Sequence, residues 1–354
     1  YELSYEQGHM YSPEELEEFF LRVKEGEGEE FYILGGSMLY LELLFHSFCS
    51  FDTLGSSYEG GILLCEKTGD EEGALEEGKA KNPGEIETPQ VVNLFATKEF
   101  LSFAQRMRRW QQMGFFVPGS STSEEGCNDM VKRGKILGWF FYNVPGEEVE
   151  NTSTGEREMV FLPMKEAMRT TEVCQDVLWS IPVTCENPGK VLVFLERLYT
   201  DEALVNLLQR GIEGVSYVVT EEGERGKQIA PPEGESVLTI PYYTELGLFG
   251  NRRLAYTWAP GEADQISKVE KFSESVSLTS PAWGYSFDPE PVQASHLAVK
   301  EVVDRYAGLL VTGEVDPETE IPLLLEELEG AGIQEVLAEN QRQLDAFLEA
   351  AGKR

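Results

Sequence analysis

Apolar residues three and four positions apart mark out the helices of this chain, and short unbroken apolar runs mark its strands. The first helix opens at Ser12-Pro13-Glu14-Glu15, a capping box with proline in the first turn. Leu16, Phe19, Phe20 and Val23 form its inner stripe, and Gly26 is its stop. Phe31 to Leu34 reads as a strand, followed by Gly35-Gly36 and an apolar helix through Phe48. Residues 66–90, acidic and rich in Gly, Lys and Pro, read as a surface excursion. Thr97 caps a helix that turns Phe100, Leu101, Phe103, Ala104, Met107 and Trp110 inward and stops at Gly114. A second capping box, Thr122-Ser123-Glu124-Glu125, opens a helix that ends near Gly134, and Ile136 to Tyr142 reads as a buried strand dense in aromatics.

Residues 145–158 are polar and contain glycine, which suits a crossing between lobes. Beyond them, a strand-like segment from Leu178 to Val183 ends in a turn at Asn187-Pro188. A helix follows with Val191, Leu192, Phe194, Leu195, Leu198 and Tyr199 on one stripe; Thr200-Asp201-Glu202 starts another that stops at Gly211. Residues 220–236 read as a charged loop, and several aromatic strand-like pieces lie between Pro241 and Val292. Two helices close the chain. One begins after Asp316-Pro317 and carries Ile321, Leu324, Leu325 and Leu328; the other carries Val336, Leu337, Leu344, Phe347 and Leu348. Capped helices alternating with short apolar strands predict α/β layers.

Composition narrows the functional classes. The 354 residues, 41% hydrophobic and 11% aromatic, leave room for about two or three domains and a sizeable core. A net charge of -34, from 63 acids against 29 bases, repels phosphate backbones and anionic lipid, so no nucleic-acid partner is expected. Cysteines stand at 49, 65, 127, 174 and 185 with no CxxC pattern, which leaves little for zinc, iron–sulfur or thioredoxin chemistry; a Cys174–Cys185 disulfide stays open. His9, His46 and His296 are far apart and fit no metal spacing, and neither a GxSxG nor a phosphate-loop pattern occurs. Asp70-Glu71-Glu72-Gly73 lacks the spacing of a calcium loop. No metal, nucleotide or other cofactor is expected.

The run from 178 to 217, of the form xNPxKVxxFLxxLYTDExLxNLL after a strand, resembles the extracellular solute-binding proteins of bacterial ABC importers. Tyr11 to Lys24, Phe95 to Phe115 with Met130 to Phe141, and Leu162-Pro163 with Val177 to Leu208 match that pattern in order. Leu248-Phe249-Gly250-Asn251, Tyr256-Thr257-Trp258, Gly284 to Asp288, Pro291-Val292 and residues 308–348 resemble a C-terminal domain of unknown function found in a lipoprotein subgroup of these receptors. The resemblance implies a periplasmic-binding-protein-like two-lobe α/β fold of type II, with the N-terminal lobe incomplete and a C-terminal α/β extension. It divides the chain into residues 1–155 as the C-lobe, 156–225 as the return segment of the N-lobe, and 226–354 as the family-specific domain. Hinge strands are implied near 1–10, 155–163 and 218–240. The family pattern starts with a lipid-anchored cysteine and an N-terminal lobe segment ahead of Tyr1, which implies that the 354 residues alone bind ligand poorly. Trp283 departs from the pattern, which more often has a smaller aliphatic residue there.

The implied function is an extracellular, lipid-anchored receptor, not an enzyme, that captures oligosaccharide and delivers it to permease subunits. Sugars in such clefts stack their C–H faces on aromatic rings while amides and carboxylates hold the hydroxyls. Trp139 follows a Gly-Lys-x-x-Gly turn at the family's cleft position; Trp179 is second. Ser37 and Tyr40, Tyr142, Tyr243 and Trp258 complete the candidates, with Tyr242, Tyr256, Trp283 and Tyr285 as further aromatics, each of which packing alone would also explain. A secreted glycoside hydrolase or lyase, or a surface adhesion module, is the competing reading; turnover of glycan separates the first from a receptor.

Overall fold

The computed structural model describes residues 1, 9–35, 45–56, 58–65, 89–120, 122, 125–141, 158–171, 179–236, 239–242 and 250–353. Contacts group the chain into two compact units. Residues 1–142, 154–176 and 276–354 form the first, and residues 143–153 and 177–275 the second.

Helix α1, Pro13–Glu27, is capped as its sequence predicts: the Ser12 hydroxyl accepts from the Glu15 amide at 3.2 Å, and the Glu15 carboxylate accepts from the Ser12 amide at 2.8 Å. It runs through Gly26 and ends at Gly28, and its buried face is Leu16, Phe20 and Val23. Strand β1, Tyr32–Leu34, leads to the helical residues 45–48, then to β2, Phe51–Asp52, β3, Ile62–Leu64, and β4, Val91–Val92. These last three make an antiparallel sheet in which Phe51 faces Leu64 and Ile62 faces Val92.

Helix α2, Lys98–Gln112, takes its cap from Thr97, whose hydroxyl accepts from the Phe100 amide at 3.1 Å. Phe100, Phe103, Ala104, Met107 and Trp110 are buried, as the helical spacing predicts. Helix α3, Cys127–Lys132, begins later than its capping box suggests, with Gly126 at the cap. Glu125 is drawn instead into ion pairs with Arg133 and, at 3.3 Å, Lys135, contacts stronger than a neutral cap bond. Strand β5 covers only Ile136–Gly138. Phe140 turns back to pack on Phe48 and Trp110, which ends the strand early. β5 pairs in parallel with β1, and β1 is bridged in parallel on its other side at Leu34 and Phe116. Strand β6, Met168–Arg169, is the last described element before the second unit.

The second unit opens with an irregular segment, 179–183, where the sequence predicts a strand. Helix α4, Pro188–Thr200, is capped by Asn187, and α5, Glu202–Arg210, by Asp201, with Gly211 as the stop. The apolar stripe of α4 is not an inner face: only Leu198 is buried, while Leu192, Phe194 and Tyr199 are exposed. Gly250 sits against that one buried turn, where a Cβ would meet the Leu198 carbonyl at 2.0 Å. Residues 220–236, expected as a charged loop, and 218–240, implied to carry hinge strands, hold a hairpin of β7, Val218–Glu222, and β8, Lys227–Ala230. Val218, Val219 and Thr220 supply β-branched residues, and Gly223 to Gly226 supplies the turn. Strand β9, Thr257–Trp258, adds in parallel to β8, and α6, Gln265–Ser275, follows where only strand-like pieces were expected.

The chain re-enters the first unit through β10, Leu278–Thr279, parallel to β6. Three helices follow: α7, Gln293–Val311, α8, Pro317–Ala331, and α9, Ile333–Ala350. α7 is not foreseen by the sequence reading. Four of its residues are valine, and no side chain caps its start. Leu16, Phe20, Phe100, Met107 and Trp110 share one buried cluster with Val299, Leu324, Leu328, Val336 and Leu344, so the C-terminal helices complete the core of the first unit. Gly313 permits a close approach: a Cβ there would lie 2.2 Å from the Met107 carbonyl of α2.

Candidate functional site

In the first unit, β1 pairs in parallel with β5 and is bridged in parallel at Phe116, so it lies between the two. In parallel sheets of α/β folds, ligands bind beyond the carboxyl ends of the strands. Three segments leave that edge: Gly35 from β1, Val117 to Ser120 after the Phe116 bridge, and Trp139 to Phe141 from β5. The Val117 amide donates to the Leu34 carbonyl at 3.2 Å and the Gly35 amide to the Gly138 carbonyl at 3.1 Å, so the segments leave the sheet in register.

Trp139 is therefore the first residue past a parallel strand. It is half-buried and packs with Tyr32 and Met159 on a small cluster of Val117, Cys127, Met130, Val131 and Ile136. The residue is covered in part by this cluster and open in part to solvent, a condition that a stacking platform must meet. Trp110 makes the contrast: it is wholly enclosed among Phe20, Phe48, Phe115 and Phe140, and its indole N–H donates to the Glu17 carboxylate. Ser37 and Tyr40, which follow β1 in sequence, and Tyr142, which follows Trp139, lie outside the described residues.

Trp179 and Trp258 belong to the second unit, and Tyr243 lies outside the described residues. Trp179 is 42% exposed. Trp258, on β9, is half-buried with the Arg210 guanidinium 5.8 Å above its ring, and Arg210 also donates to the Tyr256 carbonyl at 2.9 Å. Tyr256 stands edge-on to Tyr217 at 6.0 Å and donates to the Glu202 carboxylate at 2.8 Å; burial and that carboxylate raise its phenol well above the ordinary range. This group is anchored by Asn206, buried, whose amide bonds the Leu254 carbonyl and the Tyr256 amide. Of the further aromatics, Tyr285 is a core residue that bonds Asn340 rather than facing a cleft, and the exposed Tyr242 donates to the Leu208 carbonyl at 2.6 Å.

Reactive groups in the first unit are muted. Burial pushes the Cys65 and Cys127 thiols up to about 12, which leaves them inert. Burial, then the Lys165 ammonium, lowers the His46 imidazole to about 3, and the ring is stacked on Phe51 at 4.2 Å. Among the described residues, no group of three His, Cys, Asp or Glu side chains could hold a metal ion, and no helix is long and apolar enough to cross a membrane. Cys174 lies outside the described residues, and Cys185 is a free cysteine, so the Cys174–Cys185 disulfide left open by the sequence is not formed.

Comparison with known proteins extends these observations. Residues 281–349 match a family profile described as a domain of unknown function, DUF3502. The chain is 24% identical over 273 residues to a carbohydrate ABC transporter substrate-binding protein of Streptococcus pneumoniae serotype 4, strain TIGR4; the match is 75% of this chain and 53% of the relative, so it spans about half of that protein. The crystal structure of the N-glycan transport solute-binding protein of Streptococcus pneumoniae in complex with Man5GlcNAc superposes with a TM-score of 0.72 at 19% identity, covering 98% of this chain and 70% of that one. The substrate-binding protein FusA of Streptococcus pneumoniae in complex with kestose gives 0.55 at 13% identity, covering 96% and 69%. Over nearly its whole length, the chain has the α/β fold of the solute-binding proteins of ABC transporters.

Proposed function

We propose that the chain is the ligand-binding part of an extracellular receptor that captures oligosaccharide between two hinged lobes and delivers it, unchanged, to an ABC permease. The observation that carries this reading is Trp139, a half-exposed indole at the carboxyl end of a parallel strand in a solute-binding fold. Ser37, Tyr40 and Tyr142 are proposed beside it, because they follow β1 and Trp139 in sequence. Trp179, Tyr243 and Trp258 are proposed as the aromatic contacts of the second unit. Similar proteins support the class of ligand: one is a carbohydrate receptor, and others take N-glycan and kestose. A lipid anchor on an N-terminal segment would hold the receptor at the outer face of the membrane.

A thermal-shift screen of the full-length protein tests the reading. Neutral oligosaccharides, Man5GlcNAc among them, are expected to raise the melting temperature as bound ligands do. Stabilisation by peptides and by no glycan would overturn it.

A further inference from the structure

The turn after β2 holds an unusual arrangement. Asp52 and Thr171 are both fully buried, 119 residues apart in sequence. The Asp52 carboxylate accepts three hydrogen bonds: from the Leu54 amide at 2.8 Å, from the Thr171 amide at 3.1 Å, and from the Thr171 hydroxyl. That hydroxyl in turn accepts from the Gly55 amide at 2.7 Å. Leu54 is held with φ at 60°, and it is the one non-glycine residue with positive φ among the described residues. A left-handed leucine persists only where its surroundings over-determine it, and such strain concentrates where geometry matters to function.

Thr171 follows β6, the strand after which the chain passes into the second unit. β10, by which the chain returns, lies in parallel beside β6, and the Ser280 amide donates to the Arg169 carbonyl at 2.8 Å. The same turn is braced by the C-terminal segment: the Phe287 amide donates to the Leu54 carbonyl at 3.0 Å, and the Asn340 amide to the Gly60 carbonyl at 2.7 Å. Thus Thr171, just past the outgoing strand, and the domain of unknown function both meet the turn 52–60, while the returning strand pairs with the outgoing one.

We propose that the Asp52–Thr171 clasp, braced by residues 281–349, is a positioning device that fixes the first-unit ends of two of the connections between the units, those after β6 and before β10, on which a capture movement turns. It rests on the proposed reading that ligand is captured by such a movement. Asp52 and Thr171 touch no ligand in this role. They set the direction in which β6 and β10 leave the first unit, and the C-terminal segment gains a function as their brace.

The test uses the full-length protein with Asp52→Asn and Thr171→Val, which keep shape but break the clasp. Thr171→Ser, which keeps the hydroxyl, is the rescue, and Val23→Ala, in α1 of the same core and outside the brace, is the control. Hydrogen exchange of the Thr171 and Ser280 amides and the dissociation rate of Man5GlcNAc are read for each. Both clasp variants are expected to speed exchange and dissociation about tenfold, in line with losing a hydrogen bond to a buried carboxyl group. Thr171→Ser should sit near wild type, and Val23→Ala should lower the melting temperature while leaving dissociation near wild type. If the clasp variants and Val23→Ala, compared at equal stability, exchange and release alike, the clasp is ordinary core and the proposal falls. If the wild type binds no glycan, the capture reading fails, and the exchange comparison still decides whether the clasp holds the two strands.

Discussion

The side-chain oxygen of Asn340 accepts a hydrogen bond from the Tyr285 hydroxyl at 2.7 Å, and its nitrogen donates to the Gly60 carbonyl at the same distance. Asn340 is fully buried, and this amide ties α9 to the segment before α7 and to the one-turn helix Tyr58–Gly60. Asn340→Ala should cost about 2–4 kcal/mol, because it strands a buried hydroxyl and a buried carbonyl and leaves a small void. Urea denaturation of the two forms checks it; a loss below about 0.5 kcal/mol, the scale of a surface change, would mean that the bonds are dispensable.

The same bond bears on the domain of unknown function. Gln341 accepts from the Val91 amide at 2.7 Å, and Arg108 of α2 donates to the Gly313 and Glu314 carbonyls at 3.0 and 3.2 Å. With the shared apolar cluster, these contacts make residues 281–349 part of one core with α1 and α2. Their removal would expose that core.

His46 gives the protein a pH dependence with a definite sign. Burial, then Lys165, lowers its pKa from 6.5 to about 3 in the folded state. Between those values the unfolded chain takes up a proton that the folded chain refuses. Its contribution is therefore fully present above 6.5 and is lost progressively as pH falls from 6.5 toward 3. His46→Phe, which keeps an aromatic ring on Phe51, should flatten this slope. Stability measured at about pH 4.5 should rise relative to wild type more than at about pH 7.5; equal differences at both would show that the imidazole is not held neutral.

The exposed face of α4 predicts association. Leu192, Val193, Phe194 and Tyr199 are exposed on one helix, and Trp179, Val183, Leu207 and Ile212 are exposed in the same unit. Apolar patches of this kind drive contact between molecules even on a highly charged chain. Light scattering of the 354-residue chain should show mass rising with concentration. Leu192→Glu with Phe194→Lys should abolish the rise while changing stability by less than about 0.5 kcal/mol. A monomer at every concentration would contradict this.

What the sequence made legible was what is encoded locally. α1 and α2 were readable because a cap and a 3.6-residue stripe agree within fifteen residues, although α1 runs past its expected stop at Gly26. α7 was hidden by its valines and uncapped start, since its helical state comes from packing rather than propensity. The hairpin of β7 and β8 was masked by charge: Glu221, Glu222, Glu224 and Arg225 read as a loop, although Val218, Val219 and Thr220 carried a strand signal. The α4 stripe had helical spacing, which shows a face but not whether anything covers it. At the candidate site, Trp139 was found by a family-like turn, and its place at a strand's carboxyl end follows from sheet order. Asp52 gave no sequence signal, because its partner lies 119 residues away.

Calorimetric titration of the full-length protein with Man5GlcNAc, for wild type and Trp139→Ala, tests the central claim most directly, with the glycan recovered and weighed afterwards. Trp139 should contribute about 1–3 kcal/mol to binding through buried ring area and stacking. The account predicts saturable binding by the wild type, affinity reduced by that amount in the variant, a fold kept in both, and glycan returned intact. Equal affinity in both proteins would remove Trp139 from the site, and cleaved glycan would show an enzyme where this account places a receptor.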